Sequence, residues 1–435
     1  MSTLAGSLAA GARVLPRGKT GRTLLRGGAL VFASTLAWHA SNFAFNAVTA
    51  RLLGPSGYSE LAATVTLLYV ASPVLTSIQT MTSRAVTSLQ VAGEFDRIRP
   101  TVEGRAARIA FVGALAALAG AGMNREFARF LHLSSGWPIV IVCGGLGVSA
   151  VTHCQRGALQ GAQRFGRYSL STLVEATMKV LGVVLLVGAI SRSVDSAVAA
   201  IPLAAICALV VNSVLLRFLP RGGQRVDRER VAGTLRQSSV TVATFVFLSI
   251  LLSADILAAK RYLPSHLAGV YAVVSLSGKI VYFSTSALSF FLFPFFSERR
   301  ERNLDGRRQL GLALGLLCGC SAIIVGAYAL APRLVVETLF GSSYATAAAH
   351  LVWIGVAFSG YAVAYLAATY LLAQGTRLGT VVLGGGTLLQ LAALYMRHAS
   401  IGQIVDVQVV VLWSVALLLC AIALRTHGQR ETATP

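Results

Sequence analysis

Along this chain, polar residues gather into short clusters separated by long apolar runs. The runs fall at about 28–49, 58–82, 106–123, 138–154, 168–190, 196–216, 237–258, 268–296, 309–330, 347–373, 379–395 and 401–424. A hydrocarbon core of ~30 Å is crossed by about 20 apolar helical residues, so the pattern predicts twelve transmembrane helices. The expected fold class is an all-α, polytopic integral membrane protein. The first run follows a basic stretch (Arg13, Arg17, Lys19, Arg22, Arg26), as a secretory signal does. It continues through Trp38 and His39 to Thr49, longer than the apolar core of a cleaved signal, and reads as a helix.

Within three of the runs, polar residues recur at helical spacing. The first run carries Thr35, Trp38, His39, Asn42, Asn46 and Thr49. The second carries Tyr69, Ser72, Thr76, Gln79 and Ser83, and the eighth Ser275, Lys279, Tyr282, Ser286 and Ser289. Steps of three and four put each set on one helical face. Polar groups are costly in hydrocarbon, so these faces turn away from lipid. They either glue helices together through hydroxyl hydrogen bonds or line a water-filled cavity; bulky Lys279 favours the cavity.

Composition fits a membrane protein. Charged residues make up 12% and hydrophobic residues 55% of 435, against ~25% charged in ordinary soluble domains. The net charge of +21 would suggest nucleic-acid binding in a soluble protein. Here its placement gives it another meaning. With both termini on the cytoplasmic side, 27 of the 37 Lys and Arg residues fall in cytoplasmic loops and 8 in outer ones, the bias that orients membrane proteins. The charge is topological, and no nucleic-acid partner is expected. The longest loops hold about 20 residues, too few for a soluble catalytic domain, so no enzymatic activity is expected. The six cysteines lie in or beside apolar runs without metal-ligand spacing and read as small core residues; no metal or cofactor is expected.

Charges inside the runs are the candidate functional groups. Lys279, with no acidic residue one turn away on its own helix, reads either as the partner of another helix's group or as a substrate-anion site. Asp255, near the outer end of the seventh run, can pair with Lys279, carry a coupling proton or sodium ion, or reach the interface. Arg84, at the inner end of the second run, can report topology alone or meet a phosphate from the cytoplasm, because a guanidinium forks onto phosphate oxygens. Glu175 and Lys179 are four residues apart in the favourable order for a helical ion pair; Glu175 is a second ion-coupling candidate. His39 and His153 are weak proton-relay candidates because neither has a named carboxylate partner, and Asp406, at the start of the twelfth run, reads as interfacial. The candidate cavity set is Lys279, Arg84, Asn42, Asn46, Tyr69, Gln79 and Tyr282.

The chain also matches itself. The segment from Arg51 to Tyr58 (RLLGPSGY) precedes the second run as the segment from Arg261 to Tyr271 precedes the eighth. Gln160-Gly161 closes the fourth run as Gln374-Gly375 closes the tenth. The offset of 210 to 214 residues makes each half six helices of equal orientation, a parallel repeat such as transporters use to rock two bundles around a shared cavity. The expected organisation is a basic cytoplasmic segment (1–27), an N-terminal six-helix lobe (28–216), a basic linker (217–236), a C-terminal six-helix lobe (237–424) and a cytoplasmic tail (425–435).

Several of these segments resemble the bacterial polysaccharide biosynthesis membrane proteins, the lipid-linked oligosaccharide (O-antigen-type) flippases. They are Arg51 to Tyr58, Gly157 to Phe165, Asp255 to Tyr271, Pro294, and Leu339 to Tyr344. The resemblance implies the multidrug/oligosaccharidyl-lipid/polysaccharide exporter superfamily. It further implies two six-helix lobes, a central cavity lined by the first, second, seventh and eighth helices, and alternating access. The implied function is flipping of a polyprenyl-diphosphate-linked oligosaccharide to the outer leaflet of the bacterial inner membrane, coupled to H+ or Na+, with Lys279 and Arg84 facing the diphosphate. The implied partners are that lipid-linked substrate, membrane lipids, and the polymerase and glycosyltransferases of the same pathway. The alternative is a multidrug/organic-cation antiporter of the same superfamily, for which an acidic cavity is expected.

Overall fold

The computed structural model describes residues 19–219, 235–301 and 307–425. Every regular element in them is helical. Eleven helices are long and apolar enough to cross a membrane, and the first of these spans, Leu30–Val91, is 62 residues long. At 1.5 Å per residue a straight rod of that length would extend about 93 Å, three bilayer cores. It is not straight. Helix α1 (Lys19–Val91) breaks at Gly54, whose φ of 65° and ψ of 177° lie outside the reach of most L-residues, and Pro55 follows directly. Tyr58 donates a hydrogen bond to Asn46 Oδ1 at 3.1 Å. Twelve residues apart on one rod they would stand about 18 Å from each other, so the chain folds back at Gly54 and α1 is two limbs, 19–53 and 55–91. Twelve crossings result, as the apolar runs predict.

The remaining helices are α2 (Phe95–Gly122), the short α3 (Asn124–Phe130), α4 (Trp137–Gly161), α5 (Phe165–Leu185), α6 (Val194–Leu215), α7 (Leu235–Tyr262), α8 (Ser265–Glu301), α9 (Arg307–Leu330), the short α10 (Pro332–Phe340), α11 (Leu351–Ala373), α12 (Leu378–Met396) and α13 (Ile401–Arg425). A π-helical turn, Leu186–Ile190, ends α5, and a 3-10 segment, Ser342–His350, joins α10 to α11.

The backbone carries the twofold repeat. A short helix, α3 or α10, follows the third crossing of each half. Gln163 (φ 54°) and Gly375 (φ 70°) terminate the fourth crossing of each half in the left-handed conformation that closes helices, 212 residues apart. The break at Gly54 answers to the Leu263-Pro264 break between α7 and α8.

Contacts sort the crossings into two sets of six. Both limbs of α1, with α2, α4, α5 and α6, form one bundle; α7, α8, α9, α11, α12 and α13 form the other. In the first, Gly157 and Gly161 of α4 lie against the backbone of the second limb. A Cβ at either would stand 2.3 or 2.4 Å from the carbonyl oxygens of Gln79 and Ser83. Small residues four apart permit this approach. In the second bundle α11 is central and almost entirely buried, as suits a helix apolar on all sides. Tyr361 donates to the Leu248 carbonyl, Trp413 to the Val356 carbonyl, and Gln390 to the Leu251 carbonyl and Gln408. The bundles meet where the two limbs of α1 touch α7 and α8. Residues 1–18, most of the linker (220–234) and the end of the tail (426–435) lie outside the described residues, as do the side chains of Ser286, Ser289 and Pro294.

Candidate functional site

Between the limbs of α1 and helices α7 and α8 lies a cavity of about 30 Å³. Its walls are Asn46, Tyr58, Ala62, Val65, Thr66 and Tyr69 from α1, and Leu252, Ile256, Ala272, Leu276, Lys279 and Phe283 from the other bundle. It has room for about two waters. Three of the sequence candidates, Lys279, Asn46 and Tyr69, line it. Lys279 is 3% exposed and its Nζ has no hydrogen-bond partner.

Asp255 of α7 stands behind the cavity wall, fully buried. Its Oδ2 accepts from Tyr271 at 2.9 Å and from Ser275 at 2.6 Å, while Oδ1 has no partner. Ser275, which holds this carboxylate, stands one turn before Lys279 on α8, and the ammonium makes no hydrogen bond to it. Of the alternatives the sequence leaves open for Asp255, a direct ion pair with Lys279 is not formed; its oxygen is held by the two hydroxyls instead.

The other candidates lie elsewhere. Asn42 faces α5, where its Oδ1 accepts a hydrogen bond from Lys179. Gln79 donates to Gln160 at 3.0 Å within the first bundle. Tyr282 packs into the second bundle, its ring 4.8 Å from Tyr361 and 5.4 Å from Tyr365. Arg84 is exposed at the far end of the second limb. Glu175 does not pair with Lys179. It forms an ion pair with Arg156 of α4 at 2.6 Å, both side chains buried, and Arg156 also donates to the Ser171 hydroxyl and carbonyl, each at 2.9 Å. Lys179 instead lies over the Trp38 ring, 4.6 Å from its centroid, and 5.6 Å from that of Phe45. Tyr58, Phe283, Arg156 and Trp38 were missed as site residues. For Tyr58, its place four residues past the Gly54 break was the available signal; the pairing of Arg156 leaves none in a single sequence.

The bundles are sealed at the end that carries Gly54. Arg51 donates to the Thr338 carbonyl, Tyr344 to the Ala50 carbonyl at 2.9 Å, and the Tyr58 and Tyr344 rings meet edge to face. Lys260 donates to Ser59 at 3.0 Å. Arg261 donates to His132 Nε2 at 3.0 Å and lies over Phe130. Gly269 touches the Pro55 backbone so closely that a Cβ would fall 1.8 Å from its oxygen. Farther along the first limb, His39 faces Phe283 across the seam at 4.9 Å.

No family model matches the sequence, and no curated protein matches it. Solved structures do match over nearly the whole chain. An inward-facing multidrug resistance MATE family transporter of the MOP superfamily superposes with a TM-score of 0.75 at 12% identity, covering 92% of this chain and 96% of its own. The fold is that of the MATE transporters. An outward-facing transporter of the same family gives 0.65 at 10% identity, covering 96% and 98%. A MOP superfamily transporter from Pyrococcus furiosus, described as having a binding pocket of reverse polarity, gives 0.59 at 11%, covering 94% and 96%. The MATE fold accounts for the two bundles and for a multi-pass membrane protein.

Proposed function

We propose that this chain is an alternating-access transporter that exports amphipathic organic molecules through the seam between its bundles. One observation carries the reading: twelve crossings arranged as in the MATE fold meet along four helices, closed at one end by contacts a rigid-body rotation can separate. The cargo suggested by the likeness is that of a multidrug exporter, since two of the structures that superpose over nearly whole chains are described as multidrug resistance transporters. The buried carboxylate of Asp255, beside the seam, gives this reading an acidic group as well as a basic one.

A second reading is favoured by a different observation. The ammonium of Lys279 is buried at the cavity without a partner, and a diphosphate would supply one. Reverse pocket polarity, described for the Pyrococcus furiosus protein, is compatible with this fold. On that reading the chain flips a polyprenyl-diphosphate-linked oligosaccharide in a bacterial inner membrane, both termini cytoplasmic, beside a polymerase and glycosyltransferases.

Proteoliposomes separate the two. The first reading expects uptake of tetraphenylphosphonium driven by an imposed H+ or Na+ gradient. The second expects a fluorescent prenyl-diphosphate-linked glycan to become inaccessible to an impermeant quencher while tetraphenylphosphonium stays put. Transport of neither, by protein shown to be folded, refutes the proposal.

A further inference from the structure

Lys179 is 6% exposed, yet its ammonium touches no carboxylate. The acid one turn before it, Glu175, is taken by Arg156. Three groups of the first limb surround the ammonium instead: the face of Trp38 at 4.6 Å, Phe45 at 5.6 Å and the Asn42 amide oxygen. Trp38, Asn42 and Phe45 are four and three residues apart, on one side of the helix. Phe32, Ala33, Leu36 and Ala40, on the opposite side, are exposed. The box lies on the side of the limb packed against α5, and its Trp38 and Asn42 are half-buried. Two aromatic faces and an amide oxygen without a formal anion are the chemistry that holds quaternary and other organic ammonium ions. A compact, strongly hydrated primary ammonium is the poorer occupant of such a box.

We propose that Trp38, Phe45 and Asn42 form an organic-cation site and that Lys179 occupies it as a built-in competitor. A cationic cargo enters by displacing the Lys179 ammonium, whose four-carbon stem lets it swing aside. Lys179 thus sets a threshold, admitting only cations that bind the aromatic faces better than an ammonium does. The proposal rests on the multidrug reading for its natural cargo, but equilibrium binding in detergent involves no transport, so the two fail separately.

The test is binding of tetramethylammonium to the purified full chain by calorimetry. Lys179→Ala empties the box and is expected to bind at least tenfold more tightly than the unaltered chain. Lys179→Met, whose uncharged stem still fills the box, is expected to show no gain. Trp38→Ala on the Lys179→Ala background is expected to lose that gain tenfold. Should Lys179→Ala not purify, Lys179→Ser, which also empties the box, is read in its place. Equal affinity in the unaltered and emptied chains, or a gain that survives loss of Trp38, overturns the proposal. So does a failure of both emptied variants to fold while Lys179→Met folds, because the ammonium's space would then be needed for packing alone.

Discussion

Replacing Gly269 with alanine tests whether the seam contacts define one state of an opening movement. The new Cβ would lie 1.8, 2.5 and 2.8 Å from the oxygen, carbon and Cα of Pro55. Carbon and oxygen approach to no less than about 3.3 Å, so α8 and the Gly54 turn must separate by about 1.5 Å. The obstacle is backbone at a kinked turn, which no rotamer change relieves. Forcing one methyl into such a contact costs about 1–3 kcal/mol. Because Gly269 and Pro55 belong to different bundles, the molecule can avoid that cost by opening, and the cost then appears as a population shift of roughly 5- to 150-fold toward the open form. Spin labels at Arg125 and Ala399, on opposite bundles near this end, would report it in a background free of native cysteine. Gly269→Ala should move the distance distribution to longer values with little change in melting temperature. The control is Gly157→Ala, whose Cβ meets Gln79 at 2.3 Å inside one bundle; no rotation relieves it, so its melting temperature should fall instead. An unchanged distribution in folded Gly269→Ala would refute the inference that the contact opens.

Other substitutions probe single interactions. Tyr344→Phe removes one hydrogen bond across the seam, to the Ala50 carbonyl; at about 0.5–1.5 kcal/mol it should shift the same label distance in the same direction, by up to about tenfold in population. Glu175→Gln leaves buried Arg156 without its counter-charge, a loss of about 3–5 kcal/mol that should appear as a large drop in thermal stability in detergent. Asp255→Ala orphans the hydroxyls of Tyr271 and Ser275 at about 1–3 kcal/mol each. It should melt earlier than Asp255→Asn, which keeps an acceptor for them.

Helix number, the repeat and three of the four seam helices were readable from the residues, because hydrocarbon imposes a length and a polarity rule on every crossing; the seventh helix entered only through the family resemblance. The direction in which a polar residue points within the protein was not. On the second limb the row from Tyr69 to Gln79 advances ten residues in three steps, which at 100° per residue turns it back by about 80°. Tyr69 therefore reaches the cavity, and Gln79 reaches Gln160 of its own bundle. On α8 the residues that face the seam are Ala272, Leu276, Lys279 and Phe283, a mostly apolar row. Ser275 and Tyr282, one step to the side, serve Asp255 and the ring cluster of α11. The polarity rule separates lipid from protein, and it is silent on whether the protein side is a bundle core or a path. The pairing of Glu175 fails for a related reason. The four-residue spacing to Lys179 describes a helix alone in solvent, whereas packing brings Arg156 from α4 within 2.6 Å.

The seal at the Gly54 end is built from contacts that are individually weak. Lys260 is 2% exposed and donates to Ser59 of the other bundle and to Ser265. Burying an ammonium against hydroxyls costs solvation that two neutral acceptors only partly return, so its contact favours the seal weakly or not at all. The Tyr344 hydrogen bond adds about 1 kcal/mol. The exposed contacts of Arg261 with His132 and of Arg51 with the Thr338 carbonyl add little more, because solvent competes for these groups. What remains is close packing at Gly269 and around Tyr58 and Tyr344, which is lost at once when the bundles part. A seal of a few weak polar contacts over a small tight patch can hold by a few kcal/mol and no more. That is the range within which a bound cargo or ion, through its differential affinity, can reverse the populations of two states.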